Sequence, residues 1–247
     1  MPYRRLPNTD NSRLKALLKT YHKGKDIPPF KLAFSQSTYQ RIVSFLPGFE
    51  KKILQQKAAL SRQIERNKDY HMLLKKAKLY ISHFIQVVNM AIQRGEISSS
   101  ILDYYNLNGY AKKLPPLNSE EEIIKWGEIL IEGETQRIRK GMSPITNPTI
   151  AVVKVRYEKF MDAYHNQKNL QQVNNRCLKE LADLRPVADD IILQTWNEVE
   201  ESFKDLPDDL RREKAMEYGL VYVFRKNELS EESLYSSGSI GISRHSS

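Results

Sequence analysis

Leu79–Ile92, LYISHFIQVVNMAI, is the stretch whose reading settles the fold of this chain. Ile81, Ile85, Val88 and Ile92 recur at steps of three and four, the spacing of one face of an α-helix, and no Gly or Pro interrupts them. Upstream, Ile53, Leu60, Ile64 and Leu74 hold the same phase, with Asn67, His71 and Lys78 as polar interruptions of a coiled-coil-like pattern. One continuous helix from Phe49 to about Arg94 would be roughly 65 Å long at ~1.5 Å per residue. Asn67-Lys68-Asp69 is the place for a turn, but nothing there forces one, and Gly95 is the stop signal.

Val187–Glu200, VADDIILQTWNEVE, reads as an altered copy of this stretch. Gln86 and Asn89 recur as Gln194 and Asn197, an offset of 108 residues that also relates Phe49-Glu50-Lys51 to Tyr157-Glu158-Lys159, Gln63 to Gln171, Asn67 to Asn175 and Leu73 to Leu181. A tandem duplication of a long helical unit accounts for the offset, against chance agreement between two helices of similar composition. The fold class expected is therefore all-α: an elongated antiparallel bundle of long, coiled-coil-like helices in two tandem related units.

The remaining punctuation completes that reading. Residues 1–34 are an arm, PYRRLP, and a short amphipathic helix capped by Asn8, Thr9 or Asp10 and ended by Gly24. Residues 35–113 form a basic long-helix unit in which Pro47-Gly48 should kink or break the helix. Residues 114–147 hold a connecting helix that opens on Ser119 and Glu122 at capping-box spacing and ends near Lys140. Residues 148–226 form the second long-helix unit, with a kink expected at Pro186, a short helix at 208–218 and an isolated β-prone LVYVF at 220–224. Residues 227–247 are Ser-rich and poor in apolar residues, the composition of a disordered tail.

Charge is distributed unevenly. The net charge is +9, yet residues 1–113 carry 21 Lys and Arg against 7 Asp and Glu, and the rest of the chain 18 against 23. A basic half suits nucleic acid or anionic lipid, or an acidic unit facing it within or between chains. The basic residues from Lys51 to Lys78 are spread around the long helix rather than gathered on one stripe, the pattern of a solvated face. The single Cys177 excludes an internal disulfide and a cysteine-built zinc site within one chain. No secretory signal and no apolar run of spanning length is seen, so the expectation is a cytoplasmic protein without a membrane span.

PYRRLPNTD, ISHFIQVVNMAI, GMSPITNPTIAVVKVRYE, DDIILQTWNEVE and FKDLPDDLRREKAMEYGLVYVFRKNE resemble segments of a family of uncharacterised all-helical bacterial proteins, from about Met1 to Glu228. The resemblance implies a helical intracellular protein and brings no activity, cofactor or catalytic residue with it.

Catalytic signatures are absent from the pattern: no phosphate-binding glycine loop, serine elbow or paired-cysteine motif. Asp162 and His165 lie one turn apart, but a bundle metal centre needs Glu-x-x-His twice, and the aligned positions hold Leu54 and Lys57. No enzyme activity, metal or cofactor is expected. Two residue sets remain. Tyr104, Tyr105 and Tyr110 with Lys112, Lys113, Arg4 and Arg5 combine aromatics that stack bases with cations that neutralise phosphates. His83, Gln86 and Asn89 with Gln194 and Asn197 suggest a polar helix seam that fixes register. The function expected is a non-enzymatic structural or interaction bundle with itself or a protein as partner; the alternative is a nucleic-acid-binding protein.

Overall fold

The computed structural model describes residues 2–223. The Ser-rich tail at 227–247 and the end of LVYVF lie outside the described residues. The protein is all-α: α1 (Asp10–Asp26), α2 (Gln36–Gln93), α3 (Glu120–Arg139), α4 (Ile150–Ser202) and α5 (Asp208–Glu217), with two-residue strands β1 (Tyr3–Arg4) and β2 (Tyr222–Val223). The α2 helix runs unbroken through Pro47 and past Asn67, and α4 through Pro186. Packing of a long apolar face on its neighbours outweighs the single backbone hydrogen bond that each proline removes.

The chain divides into two compact units, Met1–Gln56 with Cys177–Ser247, and Lys57–Arg176. The division falls inside α2 and α4, not between helices as the sequence pattern suggested, so each unit contains one segment of each long helix.

In the first unit, Leu17 of α1 packs with Ile42, Leu46, Phe49 and Ile53 of α2 and with Leu181, Ile192, Trp196 and Val199 of α4. Numbers rise on α2 as they fall on α4: Thr38 bonds Glu198, Arg41 pairs with Asp190, and Lys52 with Glu180. The segments are therefore antiparallel. Two bidentate ion pairs fasten α1 to α4, Arg185 to Asp10 at 2.8 and 2.9 Å and Arg13 to Asp189 at 2.7 and 2.9 Å. The helix opens on Thr9 in a reciprocal box with Ser12 and continues past Gly24 to Asp26, because a missing Cβ there makes room for the Tyr39 ring. LVYVF is not isolated: β2 pairs antiparallel with β1, Tyr3 opposite Val223 and Arg4 opposite Tyr222. Its partner comes from the other end of the chain, where the arm's prolines leave it extended.

In the second unit, Ile81, Phe84, Ile85 and Val88 of α2 meet Trp126 and Leu130 of α3 and Val153, Tyr157 and Phe160 of α4. The link 99–110 is a pair of 3-10 turns that bury Ile101, Leu102, Tyr105 and Leu107. Ser119 and Glu122 form the expected capping box on α3.

Candidate interaction surface

Within the second unit the core does not extend along the whole of its long helices. Between 60 and 69 on α2, and between 161 and 176 on α4, no residue is fully buried. What joins the helices there is polar: Asn174 Nδ2 donates to Gln63 Oε1 at 3.0 Å, and Gln167 Nε2 to Asn67 Oδ1 at 3.3 Å. The same antiparallel sense holds here. Two amide oxygens in this stretch, of Gln167 and Asn174, are shielded from water without a donor among the described residues.

The core leaves part of the apolar stripe of α2 uncovered here. Leu60 is 40%, Ile64 64%, Met72 48% and Leu79 48% exposed. Their steps of four, eight and seven residues keep them on one side of α2. Lys68 and Lys75 lie among them and Lys76 beside Met72, all exposed, and none of the three has an ion-pair partner among the described residues. Lys68, His71, Met72, Lys75, Lys76 and Leu79 line an open groove of about 540 Å³. The sequence carried a signal for this surface, the coincidence of lysines with an apolar phase, but the phase alone reads as core.

The expected nucleic-acid set is divided. Arg4 and Arg5 belong to the first unit, the tyrosines and lysines to the second. Arg4 Nη1 donates to Asn197 Oδ1 and Glu200 Oε2, each at 2.8 Å, so its charge is neutralised within the unit. Arg5 extends the β pairing through its N–H to Val221 and leaves its side chain exposed. Tyr105 is fully buried, its hydroxyl donating to Glu134 and accepting from Arg137 Nε at 3.0 Å. Tyr104 is half-buried with Lys140 Nζ 4.9 Å from its ring centroid. Tyr110 packs edge-on against Trp126. Of the five residues in the second unit, Lys112 and Lys113 are the exposed ones, Lys113 resting over the Tyr110 ring at 5.8 Å.

The polar set is also divided. His83 and Gln86 are exposed, while Asn89 is buried and donates to the Tyr110 carbonyl at 3.0 Å. Gln194 is bonded within the first unit to Thr38, Glu198 and Arg41, and Asn197 to Arg4. Antiparallel pairing sends each copy of the motif to a different unit, so the two do not form one seam. Asp162 and His165 are exposed, and among the described residues no three His, Cys, Asp or Glu gather as a metal site.

One buried network was not anticipated. Glu134 and Arg137, one turn apart on α3, form an ion pair at 2.8 Å with side chains 0% and 2% exposed. Arg137 Nη2 also donates to the Ser143 carbonyl at 2.6 Å, and Glu134 accepts the Ile145 N–H at 2.8 Å. Burial pushes the Glu134 carboxyl up, but hydrogen bonds from Arg137, Tyr105 and Ile145 outweigh it and hold the group below its ordinary range. The network ties the loop after α3 to the turn before it. Every polar atom named has a partner within the network.

No protein-family model matches the chain, and neither a curated protein nor a solved structure matches it.

Proposed function

We propose that this is a non-enzymatic interaction protein that presents the 60–79 face of α2 to an acidic protein partner. The observation that carries the reading is the sharing of one helix face by exposed Ile64, Met72 and Leu79 and by Lys68 and Lys75, which have no ion-pair partner among the described residues. Apolar side chains gain by leaving water, while unpaired cations select a partner of opposite charge. An acidic amphipathic helix meets both demands. A second copy would bring the same lysines, so like charge disfavours self-association through this face. Nucleic acid, the alternative, would use the lysines but has no need of Ile64 and Leu79.

The test is a titration of the purified chain with a labelled Glu- and Leu-rich helical peptide and, separately, with labelled oligonucleotides between roughly 50 and 200 mM salt, where phosphate binding falls steeply. The peptide is expected to bind, to lose about tenfold on Lys75→Glu with Lys76→Glu, and to lose as much on Ile64→Asp, with helicity unchanged. Oligonucleotide binding that ignores Ile64→Asp would replace the protein-partner reading by the nucleic-acid one.

The 108-residue offset supports descent by duplication. Phe84 and Ile192, Val88 and Trp196, and Ala91 and Val199 are buried at equivalent positions. Where the copies differ, the buried Ala77 and Ile81 have Arg185 and Asp189 as counterparts, the residues that bind α1. Since each unit draws on both copies, residues 1–113 made alone should associate in pairs; a folded monomer in sedimentation would end the duplication reading.

A further inference from the structure

In the first unit, a cavity of about 410 Å³ opens between α1, the β1–α1 arm and the chain after α5. That volume lies within the range of small-ligand sites, about 300–1,000 Å³. Its walls sort by chemistry. Leu6, Ala16, Trp196, Val221 and Val223 supply apolar surface, and the charged residues that line it are Arg5, Lys15 and Lys19, with no carboxylate. Lys15 and Lys19 project from one face of α1, a turn apart, on either side of the buried Ala16. None of these three cations has an ion-pair partner among the described residues, in a unit where Arg4, Arg13, Lys23 and Arg185 are all paired.

The indole lining the cavity adds an independent observation. Trp196 is 1% exposed, and its Nε1–H is buried without an acceptor among the described residues. A buried donor left unpaired costs about 1–3 kcal/mol, so native proteins rarely retain one without a use. Gly219 shapes the same wall: its φ of +98° suits glycine, and a Cβ there would stand 3.1 Å from the Ala16 carbonyl oxygen.

We infer that this cavity is a binding site for a small amphipathic anion, a carboxylate or phosphate monoester carrying an apolar chain or ring. Its acidic head meets Arg5, Lys15 and Lys19, and its apolar body lies along Leu6, Val221 and Val223, over the buried Trp196. The inference is independent of the α2 surface, which belongs to the other unit.

The test uses the full chain with Trp126→Phe, which leaves Trp196 as the single tryptophan, titrated with laurate, decyl phosphate and dodecyltrimethylammonium below their micellar concentrations. Saturable one-to-one binding of both anions, read as a change in Trp196 emission and by calorimetry, is expected, with at least tenfold weaker binding of the cation. Lys15→Glu with Lys19→Glu should weaken laurate at least tenfold, and Val221→Phe should block it, each with the far-ultraviolet dichroism of the parent. Equal binding of the cationic amphiphile, or laurate affinity unmoved by the charge reversal, overturns the inference.

Discussion

Arg137 donates from Nε to Glu134 Oε2 at 2.8 Å, and both side chains lie inside the core of the Lys57–Arg176 unit. A buried pair of this kind adds little over a well-packed apolar pair, because desolvation offsets most of the attraction, but breaking it strands a charge. Arg137→Met is therefore expected to cost about 3–5 kcal/mol in urea unfolding. Adding Glu134→Leu should restore part of that loss, while leaving the Ile145 N–H unpaired at about 1–3 kcal/mol. A double variant as unstable as the sum of the singles would show that the two residues act independently.

The same carboxylate sets an acid limit. Glu134 is held below its ordinary value of 4.5 in the folded chain. A lowered folded value means that the unfolded chain takes up the proton first, so its contribution is complete above the ordinary value and is lost as pH falls through the folded one. Thermal stability should thus decline from about pH 4.5 downward, and in Glu134→Gln, less stable at neutral pH, that acid slope should be shallower. An identical slope in both proteins would assign the acid transition elsewhere.

Much of the helical layout was legible in the sequence, and the reasons for the exceptions are physical. Capping by Thr9 and Ser119, and the continuous apolar phase of α2, are local properties written into adjacent residues. Burial is not local. Ile64 keeps the core phase yet is 64% exposed, in a stretch of α2 where no side chain is fully buried. Tyr105 sits in a Lys- and Tyr-rich loop that reads as accessible, yet it is buried against Glu134 and Arg137, 29 and 32 residues further along. Arg4 reads as a free cation until Asn197 and Glu200 are seen beside it.

Glycines in the helices should divide by what a methyl group would meet. Gly133 of α3 has the Tyr104 carbonyl and the Tyr105 ring against it, and Gly127 has the Tyr157 ring. Overpacking of this kind costs about 1–3 kcal/mol, and Gly133→Ala should be the worse of the two because backbone yields less readily than a ring. Gly48 of α2 is exposed with nothing within 4 Å of the added carbon. Gly48→Ala should instead stabilise by up to about 1 kcal/mol through helix propensity. Thermal melts of the three single variants check the order; destabilisation by Gly48→Ala would contradict the open space around it.

The polar joint between α2 and α4 in the second unit makes the last prediction. Asn174 and Gln63 share one hydrogen bond at 3.0 Å, while the Asn174 amide oxygen has no donor. Replacing both partners by apolar residues removes that unmet group along with the bond, so Gln63→Leu with Asn174→Leu should be neutral or stabilising, by about 1 kcal/mol. The amides also resist sliding, since a shifted register would bury them against apolar neighbours. With Cys177→Ala as background, a short bis-maleimide should link Asn67→Cys to Gln167→Cys and leave Asn67→Cys with Gln171→Cys largely unlinked. In the double-leucine protein the two linkages should approach each other in yield. Retention of the single linkage, with stability raised, would mean that the apolar cores toward the ends of the helices already fix the register without help from the amides.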